Sequence, residues 1–181
     1  MNALKEWATV VQALEAGDQL VILRKGGILD VASGFVIESK KFLLFPTFEH
    51  QSFENLKPRF HKYMDLVKKA KPRDGANKIT SYAEVIAEAD LTDENKINKL
   101  SEFHVWSDSY IKTRIRWMPQ KATKAVFLKT YLIDEFEIPL KPEYHGCKSW
   151  IDINANIDSG RPVLSESELH LKLNKFKEII N

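Results

Sequence analysis

The sequence lacks most of the features that would fix its class at a glance. One cysteine, Cys147, stands among 181 residues, so no internal disulfide framework and no cysteine-based zinc site can form. A lone thiol fits a reducing, cytoplasmic setting. No uncharged apolar run approaches the ~18 residues of a membrane helix; the best are Phe42 to Phe48 and Ala125 to Leu128. The opening Ala3-Leu4-Lys5-Glu6-Trp7 has an early acid and no apolar signal core, which predicts no secretory leader. Internal repeats and low-complexity tracts are missing as well. A chain that is 44% hydrophobic and 29% charged is globular in composition. Residues 1–181 are therefore read as a single domain.

An excess of one charge is also missing, because 27 basic and 25 acidic residues leave only +2. That small total is a cancellation. Lys57 to Lys78 holds eight Lys/Arg against Asp65 and Asp74, and Ser109 to Ile133 holds six Lys/Arg and no acid. Between them, Glu84 to Glu102 holds six acids against Lys96 and Lys99. Two basic blocks around an acidic one can build a one-sided positive face of the kind that meets phosphate backbones, or can be solvated helix and strand faces.

Leu4, Trp7, Val11 and Leu14 recur at helical spacing before Gly17, predicting a helix over 3–16. Gln19 to Arg24 reads as a strand that ends in the Lys25-Gly26-Gly27 turn. Phe35 to Glu38 and Phe42 to Phe45 read as two more strands, the second closed by Pro46. Phe53, Leu56, Phe60, Met64 and Val67 form a helical stripe with Asn55 as its cap. Ile79 to Ala89 reads as a long strand, although its alanines permit a helix, and Thr92 caps a short helix reaching about Glu102. Tyr110, Lys112, Arg114 and Arg116 alternate with Ile111, Thr113, Ile115 and Trp117, predicting a strand with one basic face. Val126 to Ile133 is another strand, and Ser165 with Glu168 forms a capping box for a closing helix. About six strands and four helices, not strictly alternating, predict an α+β domain around a mixed or barrel-like sheet with flanking helices.

Several clusters carry candidate chemistry. Arg24 and Lys25 before two glycines can hold a phosphate or simply shape a hairpin, since neither a Walker loop nor a dinucleotide fingerprint is present. Glu49, His50 and Gln51 put an acid, an imidazole and an amide in a loop between a strand and a helix, where they can act on a ligand or tether the loop. Asp30, Glu38 and Lys40 have a spacing compatible with a divalent-ion nuclease centre. His104 and Trp106, with Arg114, Arg116 and Trp117, interleave aromatic and basic groups, a pattern suited to stacking on bases and equally to ordinary packing. Tyr144, His145, Cys147, Ser149 and Trp150 crowd one stretch, where Cys147 beside Lys148 is a nucleophile or a small buried hydrophobe. Five dispersed histidines show no metal-ligand spacing.

Leu23-Arg24-Lys25-Gly26-Gly27-Ile28, the run from Phe42 to Gln51, and Tyr144-x-Gly146-Cys147-x-Ser149-Trp150, together with the opening Ala3 to Trp7, resemble the bacterial domain of unknown function numbered 1802. The resemblance runs from about residue 3 to residue 165. Members are sometimes joined to a restriction-endonuclease-like domain, so the resemblance implies a link to restriction or defence, with any nuclease partner here a separate protein. The order of elements is also similar to PUA-like barrels, the group of the ASCH and EVE domains, several of which bind RNA or modified bases.

The expected function is a nucleic-acid-binding, modified-base-sensing module of the cytoplasm, with DNA or RNA as partner, no membrane, no cofactor and no metal. The expected ligand-binding residues are Arg24, Lys25, His50, Gln51, His104, Trp106, Arg114, Arg116, Trp117, Tyr144, Ser149 and Trp150. The alternatives are a metal-dependent nuclease using Asp30, Glu38 and Lys40, or a protein-interaction adaptor with an exposed apolar patch.

Overall fold

The chain enters a sheet at its second residue. In the computed structural model, which describes residues 1–25 and 34–181, Asn2–Trp7 forms β1. It runs parallel to β3 (Lys41–Thr47), from Ala3 opposite Leu43 to Trp7 opposite Thr47, and antiparallel to β6 (Trp150–Asp152). β2 (Val21–Arg24) and β7 (Arg161–Pro162) both pair with β5 (Thr123–Pro139). β5 also forms the longest ladder of the sheet with β4 (Ala76–Leu91), interrupted between Ile79 and Ser81 and between Val85 and Ala87. The strand order is β2-β5-β4-β3-β1-β6, a mixed sheet of seven strands with β7 off the main path. Among the described residues five α-helices accompany it: α1 (Ala8–Glu15), α2 (Lys62–Lys69), α3 (Glu94–Lys99), α4 (Asp108–Arg116) and α5 (Glu166–Ile180). None of them is long and apolar enough to cross a membrane.

Alternate strand residues face opposite sides, and both sides are covered. Leu4, Phe42 and Leu44 join Val10, Leu14, Phe103, Phe127 and Phe176 in the larger core. Ala3, Leu43 and Phe45 face the other way, onto Ile79, Tyr82, Tyr144 and Ile151. This two-sided burial explains why residues 2–7 form a strand although helical spacing runs through them. Helix preference is worth at most about 0.7 kcal/mol per residue, whereas burying a leucine such as Leu4 contributes roughly 1.5–3 kcal/mol, and two ladders add to it. The helix expected over 3–16 is therefore β1 followed directly by α1, with Trp7 still extended at φ −57°, ψ 137°.

The stretch expected as a basic strand, Ser109 to Trp117, is instead α4. Ser107 caps it by accepting the Tyr110 N–H, and Ile111 is its one buried residue. The stripe from Phe53 to Val67 breaks into two 3₁₀ turns and α2, because Pro58 holds Lys57 extended at ψ 140°. Ser52 rather than Asn55 caps the first turn, and Asp93 rather than Thr92 caps α3. Phe35 to Glu38 form no strand, and Pro46 lies within β3, opposite Glu6, rather than closing it. The turn glycines Gly26 and Gly27 and the nuclease candidate Asp30 lie outside the described residues.

Candidate functional site

Both parallel strands deliver their carboxyl ends, Trp7 and Thr47, to one side of the molecule, the place where open sheets tend to hold ligands. Two concavities meet there. The smaller, about 220 Å³, is lined among others by Glu6, Trp7, Arg24, Trp106, Tyr110 and Arg114. The larger, a groove of about 710 Å³, runs between the loops at 48–50, 71–77 and 144–149 and shares Glu6, Trp7 and Arg24 with the first.

Glu6 is the hinge of the arrangement, a buried carboxylate at 6% exposure. Its Oε1 accepts the Trp7 N–H at 3.0 Å and its Oε2 accepts Arg24 Nη1 at 3.2 Å. Arg24 Nη2 also donates to the Lys5 carbonyl at 3.4 Å, and the guanidinium lies 5.1 Å over the Phe35 ring. Held on three sides, Arg24 faces both concavities. Trp7, Trp106 and Tyr110 form the aromatic wall, with Trp7 and Trp106 edge to face at 4.9 Å and Trp106 and Tyr110 tilted at 4.8 Å. Burial pushes the Tyr110 phenol above its ordinary pKa, and Arg114, Glu6 and Arg24 are its charged neighbours. Arg114 comes from the last turn of α4 and lies 5.1 Å over Trp117.

Lys25, one residue after Arg24, behaves differently. Its side chain is buried, and its ammonium donates to the carbonyls of Ile115, Trp117 and Met118, at 2.9 Å and 3.1 Å for the last two. Burial and the neighbouring Arg114 both lower its pKa. It tethers the end of α4 to the end of β2.

Of the other expected residues, His50, Tyr144 and Ser149 line the groove, His50 in the left-handed region at φ 61°. Gln51 lies off it, capping α1 by accepting the Thr9 N–H at 2.9 Å. Lys5 ties down the 144–149 loop by donating to the carbonyls of Tyr144 and Gly146, both at 2.8 Å, and burial lowers its pKa. His104 is buried and lines neither concavity; desolvation, with Lys57 nearby, pushes its pKa down to about 3, so the ring is neutral. Trp117 and Arg116 lie outside both concavities, as does Trp150, which stacks on Phe35 and donates Nε1–H to the Val36 carbonyl at 2.9 Å. Lys40 pairs with Glu88 at 2.8 Å and Glu38 is exposed. Cys147 is an exposed free thiol on the groove wall, not a buried hydrophobe. The composition pattern missed Glu6, Trp7 and Tyr110. Trp7 carries a signal in its charged neighbour Glu6, and Tyr110 in sharing the i, i+2 spacing of Lys112, Arg114 and Arg116, but Glu6 is identifiable only once the fold brings it to Arg24.

Three solved structures of one protein are similar to this chain. The ASCH protein from Zymomonas mobilis aligns at 12% identity over 96% of this chain and 92% of its own, with a TM-score of 0.44. Two mutants of it align at the same identity and share of this chain, over 93% and 95% of theirs, with TM-scores of 0.45 and 0.39. No curated protein matches. The family model described as Domain of unknown function (DUF1802) matches residues 3–175, and the chain belongs to that family.

Proposed function

We propose that residues 1–181 act as a nucleic-acid-binding module whose groove receives the phosphate backbone of a strand. The observation that carries this is the charge of the paired concavities. Lys5, Arg24, Lys25 and Arg114, with Lys71, Arg73 and Lys148, face three acids, Glu6, Glu49 and Asp74. Glu6 is already engaged by Arg24, whereas Lys71, Lys148 and Arg114 have no acidic partner among the described residues. Concave surfaces of one sign focus the field and concentrate an oppositely charged polymer.

Fluorescence anisotropy with labelled single-stranded DNA, duplex DNA and RNA tests the reading. Affinity should fall steeply with salt, at about 0.7–0.9 in log–log slope per phosphate neutralised. Arg114→Gln should lower that slope by about 1. Absence of binding to all three polymers at low salt would overturn it.

A sharper reading, sensing of a modified base in a restriction or defence setting beside a separate nuclease, is supported by the family resemblance more than by the rings. Trp7, Trp106 and Tyr110 pack on one another and Trp117 faces Arg114, so these four rings are already engaged. Matched duplexes with and without modified cytosine or adenine separate the two readings. The reading places the module in the cytoplasm, where an exposed thiol such as Cys147 stays reduced.

A further inference from the structure

The smaller cavity suits a compact anion better than a flat base. Arg24 and Arg114 both line it. Arg24 commits one nitrogen to Glu6 and one to the Lys5 carbonyl, which leaves part of a five-donor fork available. Arg114 has no acidic partner among the described residues, and the Tyr110 hydroxyl, with both arginines among its charged neighbours, donates to no described group. Lys25 adds a third positive charge from the wall. The one carboxylate, Glu6, is occupied by Arg24 and by the Trp7 N–H. The Trp7 and Trp106 rings in its wall lower the local dielectric, which strengthens each of these interactions. At about 220 Å³ the space is smaller than a drug-sized site, which runs to about 300–1,000 Å³. It adjoins the groove, with Glu6, Trp7 and Arg24 lining both.

Resting on the nucleic-acid reading, we propose that this cavity is a phosphomonoester site that takes the terminal phosphate of a strand lying in the groove. Arg24 and Arg114 clamp the phosphate oxygens and Tyr110 donates its hydroxyl to one of them. A terminal phosphate carries about −1.5 to −2, more than the single charge of an internal diester. Two guanidiniums backed by Lys25 therefore favour a strand end over the middle of a strand.

The test compares one oligonucleotide sequence carrying a 5′-phosphate, a 3′-phosphate or hydroxyls at both ends, with inorganic phosphate and a nucleoside monophosphate as competitors. One of the phosphorylated strands should bind roughly tenfold or more tightly than the hydroxyl-ended one. That ratio should fall towards one in Arg114→Gln, should drop several-fold in Tyr110→Phe, which keeps the ring, and should be unchanged in Arg116→Gln. Equal binding of all three strands overturns the inference and leaves the nucleic-acid reading standing. Binding of the free monophosphate with no strand advantage overturns the strand-end form. No binding by any strand removes both. The ratio for the unaltered protein is decisive even where a variant fails to fold.

Discussion

Two hollows of nearly equal size lie on this molecule, the groove of about 710 Å³ beside Arg24 and a cleft of about 720 Å³ between α5 and the β4–β5 ladder. They differ in what their cations are doing. In the α5 cleft Lys129 is bonded to Glu166, which raises its pKa, and the rest of the lining is largely Ile86, Leu169, Leu171 and Leu173. In the groove and its side cavity, Arg114, Lys71 and Lys148 are without acidic partners among the described residues. A different contrast divides Arg24 from Lys25, where one cation is held by Glu6 at the wall of both hollows and the next is buried under three carbonyls. Volume does not distinguish the two hollows, whereas the engagement of their cations does.

The strongest way to break the comparison is to remove one charge from each hollow. Arg24→Ala strands Glu6 as a buried carboxylate, which should cost about 3–5 kcal/mol as well as most of the nucleic-acid affinity. Glu166→Ala removes a partner that is 77% exposed and should cost no more than about 1 kcal/mol, with binding unchanged. Urea melts and anisotropy read both. If the two variants lose similar stability, Glu6 and Arg24 are not the buried pair described. Next in size is Lys25→Met, which leaves carbonyls at the end of α4 without a donor and should cost about 1–3 kcal/mol. Its effect on binding should come through a loosened Arg114, so binding should fall less than in Arg24→Ala.

The sequence was most legible where local signals agree with the tertiary structure. Ser165 and Glu168 form both halves of the expected capping box, and the long strands around Ile79 to Ala89 and Val126 to Ile133 are present within β4 and β5. It misled where non-local pairing wins. β1 carries a helical pattern and is a strand because β3 and β6 flank it. α4 carries a strand-like alternation and is a helix because Ser107 caps it and only Ile111 must be buried, so its period is weakly constrained. The candidate site was half legible for the same reason. Arg24, Trp106 and Arg114 were visible as aromatic and basic groups, but which of the neighbouring cations is free depends on carbonyls that only the fold brings near.

A smaller effect should appear on the acid branch. His104 is held neutral, its pKa pushed from 6.5 down to about 3 by burial first and by Lys57 second. Between those values the unfolded chain takes up a proton that the fold refuses, so the stabilisation is complete above pH 6.5 and is lost as pH falls towards 3. The loss should be about 1 kcal/mol between pH 6.5 and 5.5. In His104→Phe the slope over that interval should flatten.

The smallest effect belongs to Leu171, the most exposed large hydrophobic residue described, at 71%. With so little area to lose, Leu171→Ser should change stability by no more than about 0.5 kcal/mol and leave nucleic-acid affinity and its salt slope untouched. The adaptor reading makes the opposite demand, because a partner docked on Ile86 and Leu171 would be released by a hydroxyl at that position. Size-exclusion chromatography of the unaltered protein and Leu171→Ser at several concentrations tests that demand with a second copy of the chain as the docked partner. Identical elution leaves the α5 cleft without a self-docking role, whereas a shift of the variant alone towards smaller size would make the cleft an interface and overturn the contrast between the two hollows.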